Sequence, residues 1–311
     1  IKNRDQADAH WWTDRVRGAT KALYSNGMVD EATYIEMVQR FLAGGVQIGD
    51  YSQVNTANES FVLWNWMMEA TGSGTSNEDG TINTTSTLVD TTLGMSISTY
   101  TGSGANATIG HGLGVAPEVV IIKCLDGGTT QWMVYHSALG GTKALFLDAT
   151  SAEETAIGYW NNTDPTSSVV SLGTSSYLNN SGDKNVAYCF APSQFISIGS
   201  YTGNTDANGT FVPMVNSAGV PISPVWVLIK RSSAAGQNWM VVDSTRQTYN
   251  VQGAYLFPNA SDAEGNTTML DFVTGGIKLR VNNTTLNNGT HVYMAMGTPV
   301  IDTDGRIIAG R

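Results

Sequence analysis

The chain has 311 residues, 14% charged and 41% hydrophobic, with a formal net charge of −10. That apolar content can offset the ordering entropy that keeps polar, highly charged chains unfolded. Its 16 Lys and Arg residues are dispersed, which argues against a nucleic-acid partner, and no run approaches the ~20 apolar residues of a membrane-spanning helix. Its 34 glycines, with abundant Asn, Ser and Thr, punctuate short apolar runs, the composition of a turn-rich β protein. Cys124 and Cys189 are too few to staple a fold of this length and read as small buried apolar residues.

The chain opens on IKNRDQADAHWW, and Ile-Lys reads as the end of a buried strand. RGATKALYSN follows at 17–26. In 29–42, Ile35, Val38 and Leu42 recur at helical spacing after Asp30, a candidate N-cap, which predicts a short helix. Val62, Trp64 and Trp66 alternate with other residues, as on a strand with one face against a core. Residues 70–94 are rich in Ser, Thr and Gly and nearly free of large apolar side chains, so a linker or an extended surface ribbon is expected there.

The same phrases then return. Residues 95–192 hold a Tyr-Thr-Gly strand end at Tyr100, a proline (Pro117) introducing a β-branched run into Ile-Lys, then QWMVYH and LGGTKALFLD. Residues 193–298 hold the counterparts at Tyr201, Pro224, Lys230 and Trp239, and 299–311 form a tail. The spacing from Lys to Trp is nine residues each time: Lys2 to Trp11, Lys123 to Trp132, Lys230 to Trp239. Each segment closes on an alternating strand carrying Trp64, Tyr188 or Met294. The pattern predicts a mainly β protein of tandem sandwich or jelly-roll-like repeats of about 100 residues. Residues 1–69 would be an incomplete first copy without its front strands. A longer parent polypeptide is the favoured source of those strands, ahead of a processed chain or a strand from a neighbour. Trp11, Trp132, Trp239, Trp64, Tyr188 and Met294 would form the repeated core.

Chemistry is thinly marked. His136 aligns with Asp14 and Asp243, an exchange that a catalytic base would not tolerate. HGLG at 111–114 lacks the G-x-S-x-G partner of a hydrolase, and DTDG at 302–305 lacks the Glu that completes a calcium loop. No catalytic residue, metal site or cofactor is assigned. Trp12 and Trp160 do not recur at corresponding places and are the candidates for stacking against a glycan.

IKNRD with WW.DRVRGATKAL, NESFVLWNW, SNEDGTINTTSTLVDTTLGMSISTYTG and HGLGVAPEVVIIK together resemble a repeat domain of virion structural and tail-fibre proteins of tailed phages of the marine and cyanobacterial type. The resemblance covers nearly the whole chain, and the third copy departs most, lacking Gly-Ala-Thr-Lys. It implies a non-enzymatic component of an extracellular particle, made in the host cytoplasm: a tail-fibre, tail-associated or capsid-decorating scaffold. Its partners would be other virion subunits, with a homo-oligomer expected. A receptor- or polysaccharide-binding module on the same particle is the alternative, and a depolymerase a more distant one.

Overall fold

The computed structural model describes residues 1–68 and 71–301, which are mainly β. Two antiparallel eight-stranded sheets carry most of the molecule. In the first, Lys184–Phe190 is flanked by Met95–Thr101 and by Val119–Cys124, and the latter passes the pairing to Met133–His136 and Lys143–Phe146. In the second, Asn288–Pro299 is flanked by Ile196–Asn204 and by Ile222–Arg231, followed by Met240–Asp243 and Gln252–Leu256. The registers correspond: Lys123 lies opposite Val186, and Lys230 opposite Val292.

The apolar runs before Lys123 and Lys230 lack polar alternation because both of their faces are covered. Val119, Ile121, Val134 and Tyr188 point into a core shared with Leu228, Val241 and Met294 of the second sheet. Their chain neighbours Val120, Ile122 and Met133 turn to a separate cluster behind the first sheet, and Val227, Ile229 and Met240 to another behind the second. The two sheets thus meet across one common core, and each keeps a private core on its far side.

Residues 1–68 build only small pieces. Lys2–Asn3 pairs with Phe61–Val62, with Lys2 opposite Val62. Trp11–Asp14, Gly18–Tyr24 and Ala32–Thr33 form a three-stranded sheet. Trp12, Leu23, Trp64 and Trp66 enter the shared core, and Trp11, Met37 and Val54 form a private one.

The helix expected over 29–42 does not form. That stretch contains Ala32–Thr33 and a hairpin of Val38–Leu42 with Gly45–Ile48. The Asp30 carboxylate accepts the Gly128 amide at 2.8 Å, and Glu31 N donates to the Leu125 carbonyl at 2.9 Å, so the would-be cap anchors the chain to the first sheet. Val38 is buried while Ile35 is 65% and Leu42 53% exposed, so the three share no apolar face. Helical turns are short, and the one in this region is Ser52–Asn55.

The stretch expected as a linker or an extended surface ribbon contains two extended strands. Ser86–Asp90 pairs with Met95–Thr101, and Thr71–Thr75 pairs with Ser86–Asp90, so both extend the first sheet. Leu88 supplies the apolar anchor, buried in the shared core. The Thr87 hydroxyl meets those of Thr84 and Ser98, which satisfies polar groups inside the strand pair. The tail from 302 onward, with DTDG, lies outside the described residues.

The Tyr-Thr-Gly phrase has a physical cause. The Tyr100 hydroxyl donates to the Leu178 carbonyl at 2.5 Å, and that of Tyr201 to the Leu286 carbonyl at 2.7 Å. Two residues on, backbones nearly touch: a Cβ on Gly102 would stand 2.2 Å from the Asn180 oxygen, and one on Gly203 2.2 Å from the Asn287 carbonyl carbon. Only glycine permits that approach.

Candidate functional site

The three segments meet around the shared core, each in contact with both of the others. The Trp132 indole donates to the Gly27 carbonyl at 3.1 Å, and the Trp239 indole to the Phe146 carbonyl at 2.8 Å. The Ser25 hydroxyl then donates to the Pro258 carbonyl at 2.8 Å, and Arg4 pairs with Glu264 at 2.7 Å, which joins the first segment to the third.

Each segment buries one lysine at the end of its Ile-Lys phrase, and Lys2, Lys123 and Lys230 are all fully buried. Lys123 Nζ donates to the Thr130 hydroxyl at 2.6 Å and reaches the Met28 carbonyl of the first segment at 3.4 Å. Lys230 Nζ donates to the Gln237 carbonyl at 2.8 Å and reaches the Thr150 carbonyl of the second at 3.4 Å. Lys2 Nζ donates to the Gln6 carbonyl at 2.8 Å. Burial pushes the pKa of each down to about 8. The signal for these residues in the sequence is the recurrent lysine after Ile, nine residues before a Trp.

Three turns sit beside this core at corresponding places. Asp14 Oδ1 accepts the amides of Val16 and Arg17, and its Oδ2 accepts the Tyr188 hydroxyl at 2.8 Å. Asp243 Oδ1 accepts the amides of Thr245 and Arg246, and its Oδ2 accepts the Trp64 indole at 3.0 Å. Arg17 and Arg246 close the two turns as buried ion pairs and reach on to Glu31 and Glu264. Burial alone would lower the Arg17 pKa, but Tyr188 and the Asp14 carboxylate outweigh it and raise it. Burial likewise works against the Asp243 carboxylate, but Arg246 wins and holds its pKa low.

The third turn is neutral. His136 Nδ1 accepts the Ala138 amide at 3.2 Å, which fixes the tautomer, and Nε2–H then donates to the Tyr293 carbonyl at 3.2 Å. Burial pushes its pKa down to about 4. His111 uses its ring in the same way, accepting the Leu113 amide and donating to the Thr166 carbonyl. His291 lies against the Gly289 and Thr285 carbonyls, stacked 4.8 Å from Tyr201, and burial again pushes its pKa down to about 4. These rings fasten backbone.

The tryptophan assignments change. Trp132 N donates to Asp148 and Trp239 N to Asn259, and the corresponding bond in the first segment runs from His10 N to Asn26. His10 therefore holds the place of Trp132 and Trp239. The turn after Lys2 is one residue shorter than the turns after Lys123 and Lys230, and a one-residue slip turns a strand's side chains to the opposite face. Trp11 is consequently core of a different kind: it packs edge-on against Tyr24, Tyr34 and Tyr51 in the private cluster. Trp64, Tyr188 and Met294 do come together in the shared core.

Of the two glycan candidates, Trp160 presents no stacking face and Trp12 is partly covered. Trp160 is 1% exposed and lies edge-on to Tyr135 behind the first sheet. Trp12 is half-buried between Trp132 at 5.2 Å and Tyr188 at 5.5 Å. Cys124 and Cys189 are free and buried. Among the described residues no cluster of His, Cys, Asp and Glu has the geometry of a metal site. No described helix is long and apolar enough to cross a membrane.

A cavity of about 400 Å³ opens into the shared core beside the first segment. Trp12, Trp64, Trp66 and Trp226 line it with Met95 and Met294. Trp66 meets Trp226 edge-on at 5.7 Å, and the Arg246 guanidinium lies 5.6 Å over the Trp64 ring.

No curated protein and no solved structure matches the chain. Residues 1–298 match the family described as a domain of unknown function (DUF7483), and the chain belongs to that family.

Proposed function

We propose that the chain is a structural and docking component of a tailed-phage virion, built of three copies of one β unit. The observation that carries this reading is the closed set of contacts: Trp132 onto the first segment, Trp239 onto the second, Ser25 and Arg4 onto the third. Such closure lets three units share one core, so each is held by both neighbours and the assembly unfolds as a whole. Lys123, Lys230 and His136 reach backbone carbonyls of a neighbouring segment, a use suited to rigidity. The sequence resemblance to virion proteins supplies the location, and other subunits of the particle are the partners.

Peptide mass mapping of gradient-purified particles tests the proposal. The chain should appear there at constant ratio to the major structural proteins. Its recovery only from the cleared lysate, with none in intact particles, would overturn the reading.

A further inference from the structure

The first large sheet continues past Met95–Thr101, whereas the second stops at the corresponding strand, Ile196–Asn204. Ile97 lies opposite Tyr188 and Ile198 opposite Met294, so the two strands match residue for residue. On its other side Met95–Thr101 bears Ser86–Asp90, with Leu88 opposite Ile97. Thr85 N donates to the Thr99 carbonyl at 2.7 Å, and Ile82 N to the Thr108 carbonyl at 3.0 Å. Residues 82–90 therefore fill the space between Met95–Thr101 and Ala107–Gly110. Leu88 packs in the shared core, and Ile82 and Val89 against the cluster behind the first sheet.

That filling comes from the long connection ahead of Met95. The connection from Phe190 to Ile196 is only 191–195 and contains no strand. Ile196–Asn204 accordingly pairs with Asn288–Pro299 alone. The Thr290 carbonyl accepts the Ser232 amide on the far side of its strand, so Val292 and Met294 turn the same way, and the backbone groups of Ser200 and Ile198 opposite them turn outward. Among the described residues none of these outward groups has a partner. The edge is closed only at its two ends: Ser217 N donates to the Ser193 carbonyl at 3.1 Å, and the Thr210 hydroxyl reaches the Thr202 carbonyl at 3.4 Å. Exposure follows. Ile97 is 7% exposed, whereas Ile198 is half-buried and Ser200 exposed. Val212 lies opposite Ile277 as Ile109 lies opposite Val170, which puts Phe211, 47% exposed, in the place of Thr108.

We propose that the outer edge of Ile196–Asn204 is a strand-docking site, which takes an extended, uncharged segment of a partner subunit, rich in hydroxyl residues and carrying one aliphatic side chain directed at the shared core. The inference rests on the docking role proposed above and gives that role a surface and a chemistry. The molecule supplies the template: Ser86–Asp90 does this for the first sheet with three hydroxyl-free contacts at most, its Leu88 in the core and its Thr87 hydroxyl bonded within the strand pair. The receiving edge, ISIGSYTGN, carries no charge, so nothing in it would balance a charged strand. Backbone bonds to Ile198 and Ser200 would hold the segment, and an aliphatic residue opposite Ile198 would extend the shared core as Leu88 does.

The probe is a synthetic peptide of residues 81–89 of this chain, TINTTSTLV, with blocked ends, added to the intact protein. Its binding should slow hydrogen exchange of the Ile198 and Ser200 amides by about tenfold or more. A peptide with aspartate at the position of Leu88 should give no protection. In the protein, Ser200→Pro removes one outward amide and leaves the ladder to Asn288–Pro299 in place, so it should abolish the peptide's protection of Ile198 while the Val292 and Met294 amides stay slow. Three outcomes would overturn the proposal: no binding; equal protection by the aspartate peptide; or Ile198 and Ser200 amides already slow without peptide, whether through a second copy or through residues of the same polypeptide. The exchange experiment reads the edge alone and the particle assay reads location alone, so either can fail without the other.

Discussion

The Asp14 and His136 turns occupy matching places beside one core and solve the same problem with opposite chemistry. At Asp14 a carboxylate, a guanidinium and the Tyr188 hydroxyl are buried together; at His136 a neutral ring bonds an amide and a carbonyl, and Leu139 stands where Arg17 does. Asp243 repeats the charged solution, with the Trp64 indole in place of the tyrosine hydroxyl. The position in the fold therefore requires an acceptor for the turn amides and a bond to the neighbouring segment, and does not require a charge. The strand residue opposite varies to match: Tyr188 and Trp64 bring donors to carboxylates, whereas Met294 brings none and His136 turns to the Tyr293 carbonyl.

Breaking the charged version should be costliest. Asp14→Ala leaves Arg17 buried and without its nearest carboxylate, and Asp243→Ala does the same to Arg246. Each is expected to lose about 3–5 kcal/mol in chemical denaturation, because one member of a buried pair is stranded. A loss under about 1 kcal/mol would mean that the pairs behave as surface salt bridges.

The neutral version should show itself through pH. The His136 pKa is lowered in the fold to about 4 from an ordinary 6.5, chiefly by burial. Above 6.5 the ring is neutral in both states, so it contributes no pH dependence. Between 6.5 and 4 the unfolded chain takes a proton that the folded ring refuses, so stability falls as pH falls. The loss for His136 is on the order of 3 kcal/mol and is complete below about 4. His291 and the buried His10 act in the same direction, whereas Asp148, whose pKa burial raises to about 6, acts against them. His136→Gln should flatten the decline between pH 7 and 5 in urea titrations, and an unchanged slope would remove His136 from the account.

A third test uses a place where two segments agree. Gly102→Ala and Gly203→Ala each force a Cβ into backbone across the Tyr-Thr-Gly turn. Both should cost about 1–3 kcal/mol, as overpacking does, and by similar amounts. Thermal unfolding of the pair would show whether the two turns are equivalent in energy as well as in geometry.

Much of this was legible in the sequence and some was not, for identifiable reasons. The Ile-Lys runs, the Tyr-Thr-Gly ends and the closing strands with Tyr188 and Met294 read correctly as strands, because β-branched runs and alternation reflect burial directly. Trp11 was misplaced because identity of residue type hid a shortened turn, and the strand period makes a slip of one residue a change of face. The helix at 29–42 failed because Asp30 and Glu31 gain more from Gly128 and Leu125 of another segment than from a cap of their own. Residues 86–90 look like linker because threonine and serine hydroxyls, which bond one another inside the sheet, are indistinguishable in sequence from those that face water. Trp160 carries no local mark of depth, since its burial is made by strands remote in the chain.

The smallest expected effect is the most discriminating. If the matching turns are interchangeable, the neutral set can be moved: Asp14→His, Arg17→Leu and Tyr188→Met together install in the first turn what the second already uses. Exchanging a buried ion pair for well-fitting neutral groups is often close to neutral in stability. The triple variant should therefore stand within about 1.5 kcal/mol of the parent, the ordinary range for volume-conserving core changes, and far above Asp14→Ala. It should also lose the Glu31 contact that Arg17 makes at 3.0 Å, so a small deficit is expected. A triple variant as unstable as Asp14→Ala would show that the bond from His136 to the Tyr293 carbonyl is what makes the neutral turn work, and that the first turn does not reproduce it.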